Sequence, residues 1–213
     1  VPGRTPDAFV KVLFDEMAGN FDEKLVGKLA YRGPQIIAEL VAGQLPANGS
    51  FDLLDAGCGT GLCAPLFAPY ARRLTGVDIS AGMLARARQH EAYTELHEAE
   101  LTAYLRGQHQ AYDLIVMADT MIYFGDLREL LAGIRQALRP GGLFAFTTEQ
   151  PVAEACSDAS YHLKPSGRFG HSSAYLARTL AEAGLGIKIE RNVTLRSEFC
   201  QPIHGIGILA YAK

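Results

Sequence analysis

The chain has 213 residues, a net charge of −3 and a pI near 6.1, and its length suits one domain that buries its own core. A charge balance this close to neutral offers no basic surface for a phosphate backbone, which argues against nucleic acid as a partner. No apolar run reaches the roughly 18 residues that a transmembrane helix needs, which argues against a membrane partner. The four cysteines form no CxxC pair and no zinc-type cluster, which predicts a cytoplasmic location and no metal site.

The first fifty residues have the pattern of three short helices. Thr5-Pro6-Asp7 predicts a helix start, with Thr5 as the N-cap and Pro6 at the first helical position. A second helix is predicted for 21–29, and a third from Gly33-Pro34 to about Gln44. We expect residues 1–50 to form a helical lid within the same domain as a core of residues 51–213. Because the chain starts at Val1 rather than Met, we also expect that a segment precedes it.

From residue 51 onward, apolar runs of strand length alternate with segments of helical spacing. This alternation predicts a doubly wound, mostly parallel α/β sheet. The last two runs have no helical pattern between them, so we expect them to pair as an antiparallel hairpin. The predicted strands are 51–56, 73–78, 93–99, 112–118, 143–148, 187–195 and 205–212. The predicted helices are 62–70, 81–90, 101–106, 127–138 and one that is capped by Ser172 and ends at Gly184.

A glycine-rich turn follows the first of these strands. Gly57, Gly59 and Gly61 lie at positions i, i+2 and i+4, between the apolar run and a helix. A strand, a tight glycine turn and a helix N-terminus together allow the backbone to approach a nucleotide-like ligand closely. The dinucleotide fingerprint needs a glycine three residues after the second one, where this chain has Leu62. The loop therefore does not match the NAD fingerprint; it resembles motif I of the class I S-adenosylmethionine-dependent methyltransferases, which implies S-adenosylmethionine as the ligand.

Further signals follow along the chain: acids near the ends of predicted strands and a glycine turn before the fifth strand. They are Asp78, which is 23 residues after Asp55, the acids Glu98 and Glu100, Asp119, and the turn Arg139-Pro140-Gly141-Gly142. In this order and spacing, residues 51–149 resemble the class I S-adenosylmethionine-dependent methyltransferases. The resemblance implies a Rossmann-like, seven-stranded, mostly parallel sheet with an antiparallel C-terminal hairpin.

The same resemblance implies roles for these residues around S-adenosylmethionine. Asp78 would accept both ribose hydroxyls, although it could instead cap the next helix, a role that Ser80 could also fill. Glu100, or alternatively Glu98, would accept the adenine amino group, and Asp119 would approach the methionine ammonium. The full predicted cofactor set is Asp55, Gly57, Cys58, Gly59, Gly61, Asp78, Ile79, Met83, Glu100, Leu101 and Asp119.

A narrower likeness is carried by segments 13–15, 21–26, 29–34, 118–127 and 165–172. These resemble predicted methyltransferases that are fused behind tetratricopeptide repeats. Two positions depart from that pattern, since Met17 replaces a frequent Tyr and Glu100 replaces the usual Asp. The likeness implies a helical-repeat module N-terminal to this chain.

Three residues are the main candidates for a general base, which is needed only if the acceptor arrives protonated. His171 lies before the last helix and has a suitable pKa range, Glu149 ends the fifth strand, and Tyr31 lies in the lid. Tyr175 is a weaker candidate. Each has a structural alternative: His171 could bind a loop carbonyl, and Glu149 could pair with Arg168. Arg168 or Arg32 could recognise an acidic acceptor, because a guanidinium holds a carboxylate with two hydrogen bonds.

The acceptor class is partly restricted. Residues 118–121 lack the Asn/Asp-Pro-Pro-Tyr/Phe signature of the methyltransferases that act on amino groups of bases and glutamine. A small-molecule acceptor methylated on O, N or C remains. One alternative is a non-catalytic S-adenosylmethionine-binding or assembly factor. Another is a nicotinamide-dependent oxidoreductase, but Tyr161-x-x-Lys164 is one residue short of the catalytic Tyr-x-x-x-Lys spacing.

Overall fold

The computed structural model describes residues 2–46, 48–151 and 160–213. Cys156, one of the four cysteines, lies outside the described residues. The described helices are α1 Asp7–Met17, α2 Gly33–Val41, α3 Ala64–Phe67, α4 Ala81–Ala87, α5 Leu101–Arg106, α6 Arg128–Ala137 and α7 Ser173–Glu182, with a π-helical turn at Glu23–Lys28. The strands are β1 Phe51–Ala56, β2 Ala71–Asp78, β3 Glu95–Glu98, β4 Tyr112–Met117, β5 Leu138–Glu149, β6 Tyr161–Leu163, β7 Phe169–His171, β8 Leu185–Glu198 and β9 Gln201–Ala212.

The strands form one mixed sheet around a parallel centre. β1 pairs in parallel with β2 and β4, β2 with β3, and β4 with β5, whereas β9 runs antiparallel to both β5 and β8. This arrangement confirms the doubly wound fold and the antiparallel C-terminal hairpin. The order β3-β2-β1-β4-β5 reverses direction between β1 and β4, and ligands of such sheets bind at the carboxyl ends beside that point.

The sequence analysis did not predict two of the nine strands that the described residues form. β6 and β7 form a short antiparallel hairpin, which joins the carboxyl end of β5 where Glu149 pairs with Gly170. Each strand has three residues, too few to show an alternating pattern. The prediction of seven strands therefore holds for the long strands, and the extra hairpin lies at the edge where the carboxyl ends of β4 and β5 meet.

Helices cover both faces of the sheet. α5, α6 and α7 pack on one face with residues such as Leu105, Leu131 and Leu176, and α2 and α3 pack on the other with Ile37 and Phe67. Burial on both faces explains why β1 and β4 are buried at almost every position rather than at alternate ones. No helix among the described residues has the length and apolar character to cross a membrane.

The N-terminal helices differ in how deeply they are buried. α2 buries six of its nine residues, whereas α1 buries none and leaves Phe9 59% exposed. α2 is therefore part of the core, whereas α1 and the π-helical turn lie over the surface of that core. Thr5 is not the cap of α1: Pro6 occupies that position with extended backbone, and no side chain caps the helix. The caps predicted at Ser80 and Ser172 are confirmed, since each hydroxyl accepts a bond from the backbone three residues on.

Candidate cofactor and acceptor site

The glycine loop leaves β1 in a conformation that favours glycine. Gly57, Gly59 and Gly61 all have positive φ, at 75°, 53° and 92°. The backbone N–H groups of Gly57 and Cys58 donate to the Val77 carbonyl, which ties the loop to β2. A Cβ at Gly57 would lie 2.3 Å from the Thr120 hydroxyl, whereas a Cβ at Gly59 would meet no heavy atom within 4 Å. Gly59 therefore faces open space that a ligand can fill.

That space is a cavity of about 420 Å³ at the carboxyl ends of β1, β2 and β4. Two members of the predicted cofactor set do not line it. Gly61 packs against His90 and Tyr93, and Met83 is fully buried in α4. Ligand contact by these two residues is therefore not supported. The members that line the cavity are Asp55, Gly57, Cys58, Gly59, Asp78, Ile79, Glu100, Leu101 and Asp119.

Asp55 presents a buried carboxylate oxygen without a partner. The residue is 1% exposed; its Oδ2 accepts a 2.6 Å bond from the Tyr93 hydroxyl, and its Oδ1 has no hydrogen-bond partner among the described residues. Burial raises the pKa of Asp55 to about 7. The nearby charge of Asp78 adds to the rise, and the hydrogen bond from Tyr93 opposes it. An unpaired acceptor at a cavity wall suits a ligand that brings a positive charge or an N–H donor.

Asp78 binds the glycine loop, and its carboxylate can accept further hydrogen bonds. Its Oδ2 accepts from the Gly59 N–H at 2.8 Å, and its Oδ1 accepts from the Ser80 N–H at 2.9 Å. Burial raises its pKa, and these backbone bonds oppose the rise. Ser80, not Asp78, caps α4 through its bond from the Met83 N–H. Since a carboxylate has about four lone-pair sites, both oxygens can still accept a hydroxyl.

The structure separates Glu98, the last residue of β3, from Glu100, which follows the strand. Glu98 is half exposed and pairs with Lys11 outside the cavity. Glu100 lines the cavity, where its carboxylate caps α5 by accepting from the N–H groups of Thr102 and Ala103. Burial would raise the pKa of Glu100, but these bonds outweigh burial and lower it. A ligand amino group at Glu100 would share a carboxylate that is already a helix cap.

Asp119 is already paired. Its backbone adopts a φ of 53°, and its Oδ2 accepts a 2.6 Å bond from Arg196 while Thr147 donates to its Oδ1. Burial raises the pKa of Asp119, and the charge of Arg196 opposes the rise. Arg196 also contacts Glu149 and Glu198. The sequence analysis missed Arg196 because the predicted strand ended one residue before it, and a lone arginine at a strand end carries no motif.

Of the three base candidates, one reaches the cavity. His171 has no exposed surface; its ring nitrogens bind the Thr148 hydroxyl at 2.7 Å and the Phe124 carbonyl at 2.8 Å, and burial lowers its pKa to about 4. His171 does not line the cavity. Its two hydrogen bonds give it the structural role that the sequence analysis named as the alternative to general-base catalysis.

Glu149 is fully buried and forms ion pairs with Lys164, Arg168 and Arg196, also outside the cavity lining. Tyr31 does line the cavity. Burial and the nearby charge of Asp119 raise the pKa of its hydroxyl well above 10, so Tyr31 keeps its proton at neutral pH. The geometry therefore argues against all three as a general base at neutral pH. Tyr175, the weaker candidate, has its hydroxyl bound to the Leu127 N–H and the Gly125 carbonyl.

The lid supplies the apolar wall of the cavity and is fastened to the core by polar bonds. The Phe14 ring packs edge-on against Phe21 and Tyr123, with centroids 5.9 and 5.4 Å apart. Asp15 accepts bonds from the Ser80 hydroxyl and the Gly82 N–H, and Asp22 accepts one from the Thr60 hydroxyl. Other apolar lid residues at the cavity are Leu13, Met17, Leu25 and Leu29.

The comparisons with known proteins agree with this geometry. Residues 54–144 match the family model described as a methyltransferase domain. A malonyl-acyl-carrier-protein O-methyltransferase of Enterobacter lignolyticus is 28% identical over 148 residues, which cover 70% of this chain and 58% of that protein. The chain thus spans less than two thirds of the length of this curated relative.

Solved structures are similar over the whole chain at low identity. The 1,6-didemethyltoxoflavin N1-methyltransferase of Burkholderia thailandensis, with bound S-adenosylhomocysteine, aligns with a TM-score of 0.72 at 18% identity, over 100% of this chain and 92% of that one. A (4+2)-cyclase aligns with a TM-score of 0.75 at 16% identity, over 100% and 99% of the two chains. The chain therefore has the class I methyltransferase fold, and its residues 54–144 match a methyltransferase domain.

Proposed function

We propose that this protein is an S-adenosylmethionine-dependent methyltransferase that acts on a small-molecule acceptor. The observation that carries the proposal is the convergence of a glycine loop, a ribose-type acid and an unpartnered buried carboxylate oxygen on one cavity. Gly59 leaves room for the ligand, Asp78 has acceptors for ribose hydroxyls, and Asp55 offers Oδ1 to a cationic group. The methyltransferase domain match and the O-methyltransferase relative support the same function.

The protein's part in the reaction is binding, orientation and exclusion of water. S-adenosylmethionine supplies a methyl group that is already activated on a sulfonium. Ile79 and Leu101 line the cavity and are proposed to contact the adenine, and Asp119, which already binds Arg196, is proposed to accept the methionine ammonium as well. The lid places Phe14 and Phe21 over the cavity, where they exclude water. Alignment of the acceptor with the methyl group can supply several kcal/mol of the barrier.

Two finer proposals concern the context of the enzyme. The likeness of segments 13–15, 21–26, 29–34, 118–127 and 165–172 to repeat-associated methyltransferases supports a helical-repeat module N-terminal to this chain. The free, buried thiols of Cys58 and Cys63 are compatible with a reducing cytoplasm. Sequencing of the gene upstream of Val1 tests the first proposal, and cell fractionation tests the second.

The test of the proposed function is calorimetric titration with S-adenosylmethionine, S-adenosylhomocysteine and NAD in parallel. We expect micromolar binding of the two sulfur nucleotides and none of NAD. Gly59→Val should abolish this binding, whereas Gly19→Ala, at an open position outside the cavity, should leave it unchanged. Binding of NAD alone would contradict the proposal. Binding of the sulfur nucleotides without methyl transfer to any acceptor would favour the non-catalytic alternative.

A further inference from the structure

The cavity extends past the cofactor residues to a second wall. This acceptor wall, as we define it, comprises Tyr31, Tyr123, Ser166, Arg168 and Arg196, and the lid residue Phe14 packs against its Tyr123 ring. Ser166 and Arg168 belong to the β6–β7 hairpin, which the sequence analysis did not predict. The wall combines apolar rings with guanidinium groups, so its chemistry differs from that of the cofactor end, where carboxylates dominate.

The two arginines of the wall differ in how their nitrogens are used. Arg196 donates hydrogen bonds from Nη1 to Asp119, from Nη2 to Glu149 and from Nε to Glu198, so each of its side-chain nitrogens already binds a carboxylate. Arg168 uses Nη2 for both oxygens of Glu198, at 2.8 and 2.7 Å, whereas its buried Nε lies 2.9 Å from a Glu149 oxygen as an ion pair without hydrogen-bond geometry. The Nη1 of Arg168 has no hydrogen-bond partner within residues 2–46, 48–151 and 160–213. Arg168 therefore keeps two N–H donors for a ligand.

Arg32, the other arginine considered for an acidic acceptor, lies outside the cavity lining. Arg32 is 58% exposed in its side chain, pairs with Glu39 at 3.0 Å and does not line the cavity. Between the two arginines that the sequence offered for an acidic acceptor, the structure places Arg168 at the site.

The wall also lacks a group suited to remove a proton. The hydroxyls of Tyr31 and Tyr123 keep their protons at neutral pH, since burial raises the pKa of both, to about 12 for Tyr123. Glu198 is bound by two arginines, and its pKa is lowered. An acceptor that is already an anion near neutral pH needs no base, and a carboxylate is such an acceptor.

We propose that the acceptor is a small carboxylic acid with an apolar body, held by Arg168 Nη1 and methylated on its carboxylate. This inference rests on the proposed function. One carboxylate oxygen bonds to the methyl carbon as the carbon–sulfur bond breaks, and the bonding electron pair stays on sulfur. The products are the methyl ester and S-adenosylhomocysteine, and no proton is transferred.

The first test measures binding rather than turnover. Three acid–amide pairs (phenylacetate, indole-3-acetate and octanoate, each with its primary amide) are titrated into the protein saturated with S-adenosylhomocysteine. We expect at least one acid to bind about 10- to 100-fold more tightly than its amide, as for a charge-assisted hydrogen bond. Arg168→Gln should reduce that preference to below about 2-fold, and the exposed-site control Arg32→Gln should keep it.

Loss of Arg168 also leaves Glu198 and Glu149 without one partner, so a charge-retaining variant is needed. Arg168→Lys keeps the positive charge but loses the planar fork, and we expect it to retain a weaker preference for the acid. Unchanged affinity for S-adenosylhomocysteine in each variant shows that the cofactor end is intact. The inference is overturned if no acid binds better than its amide, or if Arg168→Gln keeps the preference.

The second test identifies the product. With S-adenosylmethionine labelled on the methyl group, an ester releases its label as volatile methanol in mild alkali, whereas ethers, N-methyl and C-methyl products retain it. With S-adenosylmethionine saturating at every pH, so that ionisation of Asp55 does not limit cofactor binding, the rate should also stay level from pH 6 to 9, since a carboxylate acceptor does not titrate there. Base-stable label would overturn the acceptor inference and leave the proposed function intact. Absence of S-adenosylhomocysteine binding would instead contradict the proposed function.

Discussion

Replacement of Asp55 by Asn should stabilise the ligand-free protein at alkaline pH. Burial raises the pKa of Asp55 from 3.8 to about 7. At about 1.4 kcal/mol per pKa unit, this difference corresponds to about 4 kcal/mol. Because the pKa is higher in the folded state, the stabilising effect of the protonated form is complete below about pH 4 and is lost as the pH rises toward 7. Asn has the same shape, can accept the Tyr93 hydroxyl and never ionises.

Urea unfolding of the wild type and of Asp55→Asn at pH 4.5 and pH 8 measures the effect. We expect the variant's advantage in unfolding free energy to grow by about 3 kcal/mol between the two pH values, which moves the urea midpoint by about 1 M. The same variant should bind S-adenosylmethionine about 10-fold more weakly, since the charged acceptor is gone. Asp126→Asn, which removes a carboxylate paired with Arg128 at the surface, is the control.

An advantage that is equal at pH 4.5 and pH 8 would refute the reasoning. It would mean that Asp55 ionises in the folded protein as it does in the unfolded chain, so the cavity would not impose a desolvation cost on it. A rise in stability together with unchanged affinity would separate the two parts of the argument: the burial would be correct and the ligand contact wrong.

Three further substitutions test other parts of the site. Asp78→Ala should weaken S-adenosylmethionine binding by about 1.5–3 kcal/mol in a calorimetric titration, and unchanged affinity would exclude the ribose contact. The pKa of His171, lowered to about 4, should cost the wild type about 3 kcal/mol of stability as the pH falls from 6.5 to 4, and His171→Ala should remove that acid slope in urea unfolding. If its slope matched the wild type, His171 would be solvated. Arg196→Met should lower the unfolding free energy by about 3–5 kcal/mol because two buried carboxylates, Asp119 and Glu149, lose a partner, and a loss below 1 kcal/mol would show that they are hydrated.

The cofactor end could be predicted from sequence because its signals are local. The loop at Gly57 and Gly59 requires glycine for its own backbone, and Asp78 ends the strand beside it. The strand boundaries at 51–56 and the helix at 101–106 were predicted correctly for the same reason: apolar runs and caps lie within a few residues of each other. The structure does not support the predicted contact of Met83 with the cofactor, because helical spacing alone does not show which face of α4 meets the core.

The acceptor end could not be predicted because it depends on contacts between distant segments. Arg196 meets Asp119 from 77 residues away, and Lys164, in the turn of the short β6–β7 hairpin, binds Glu149 at the end of β5. His171 illustrates the difficulty: a histidine in a polar loop suggests a base, and only the position of the Phe124 carbonyl shows that its ring is held in the interior. No periodicity in the sequence records such pairings.

The charges at this end constrain how the acceptor site works. Desolvation of an ion costs several kcal/mol, and apolar side chains of similar size often stabilise an interior as well as a buried ion pair does. The ion cluster of Arg168, Arg196, Asp119, Glu149 and Glu198 therefore contributes little net stability, and we infer that it serves to position these side chains. Arg196 joins the residue expected at the methionine end of the cofactor, Asp119, to Glu198, and Glu198 orients Arg168. The guanidinium proposed to hold the acceptor is thus fixed relative to the cofactor by direct bonds, which is the alignment that methyl transfer requires.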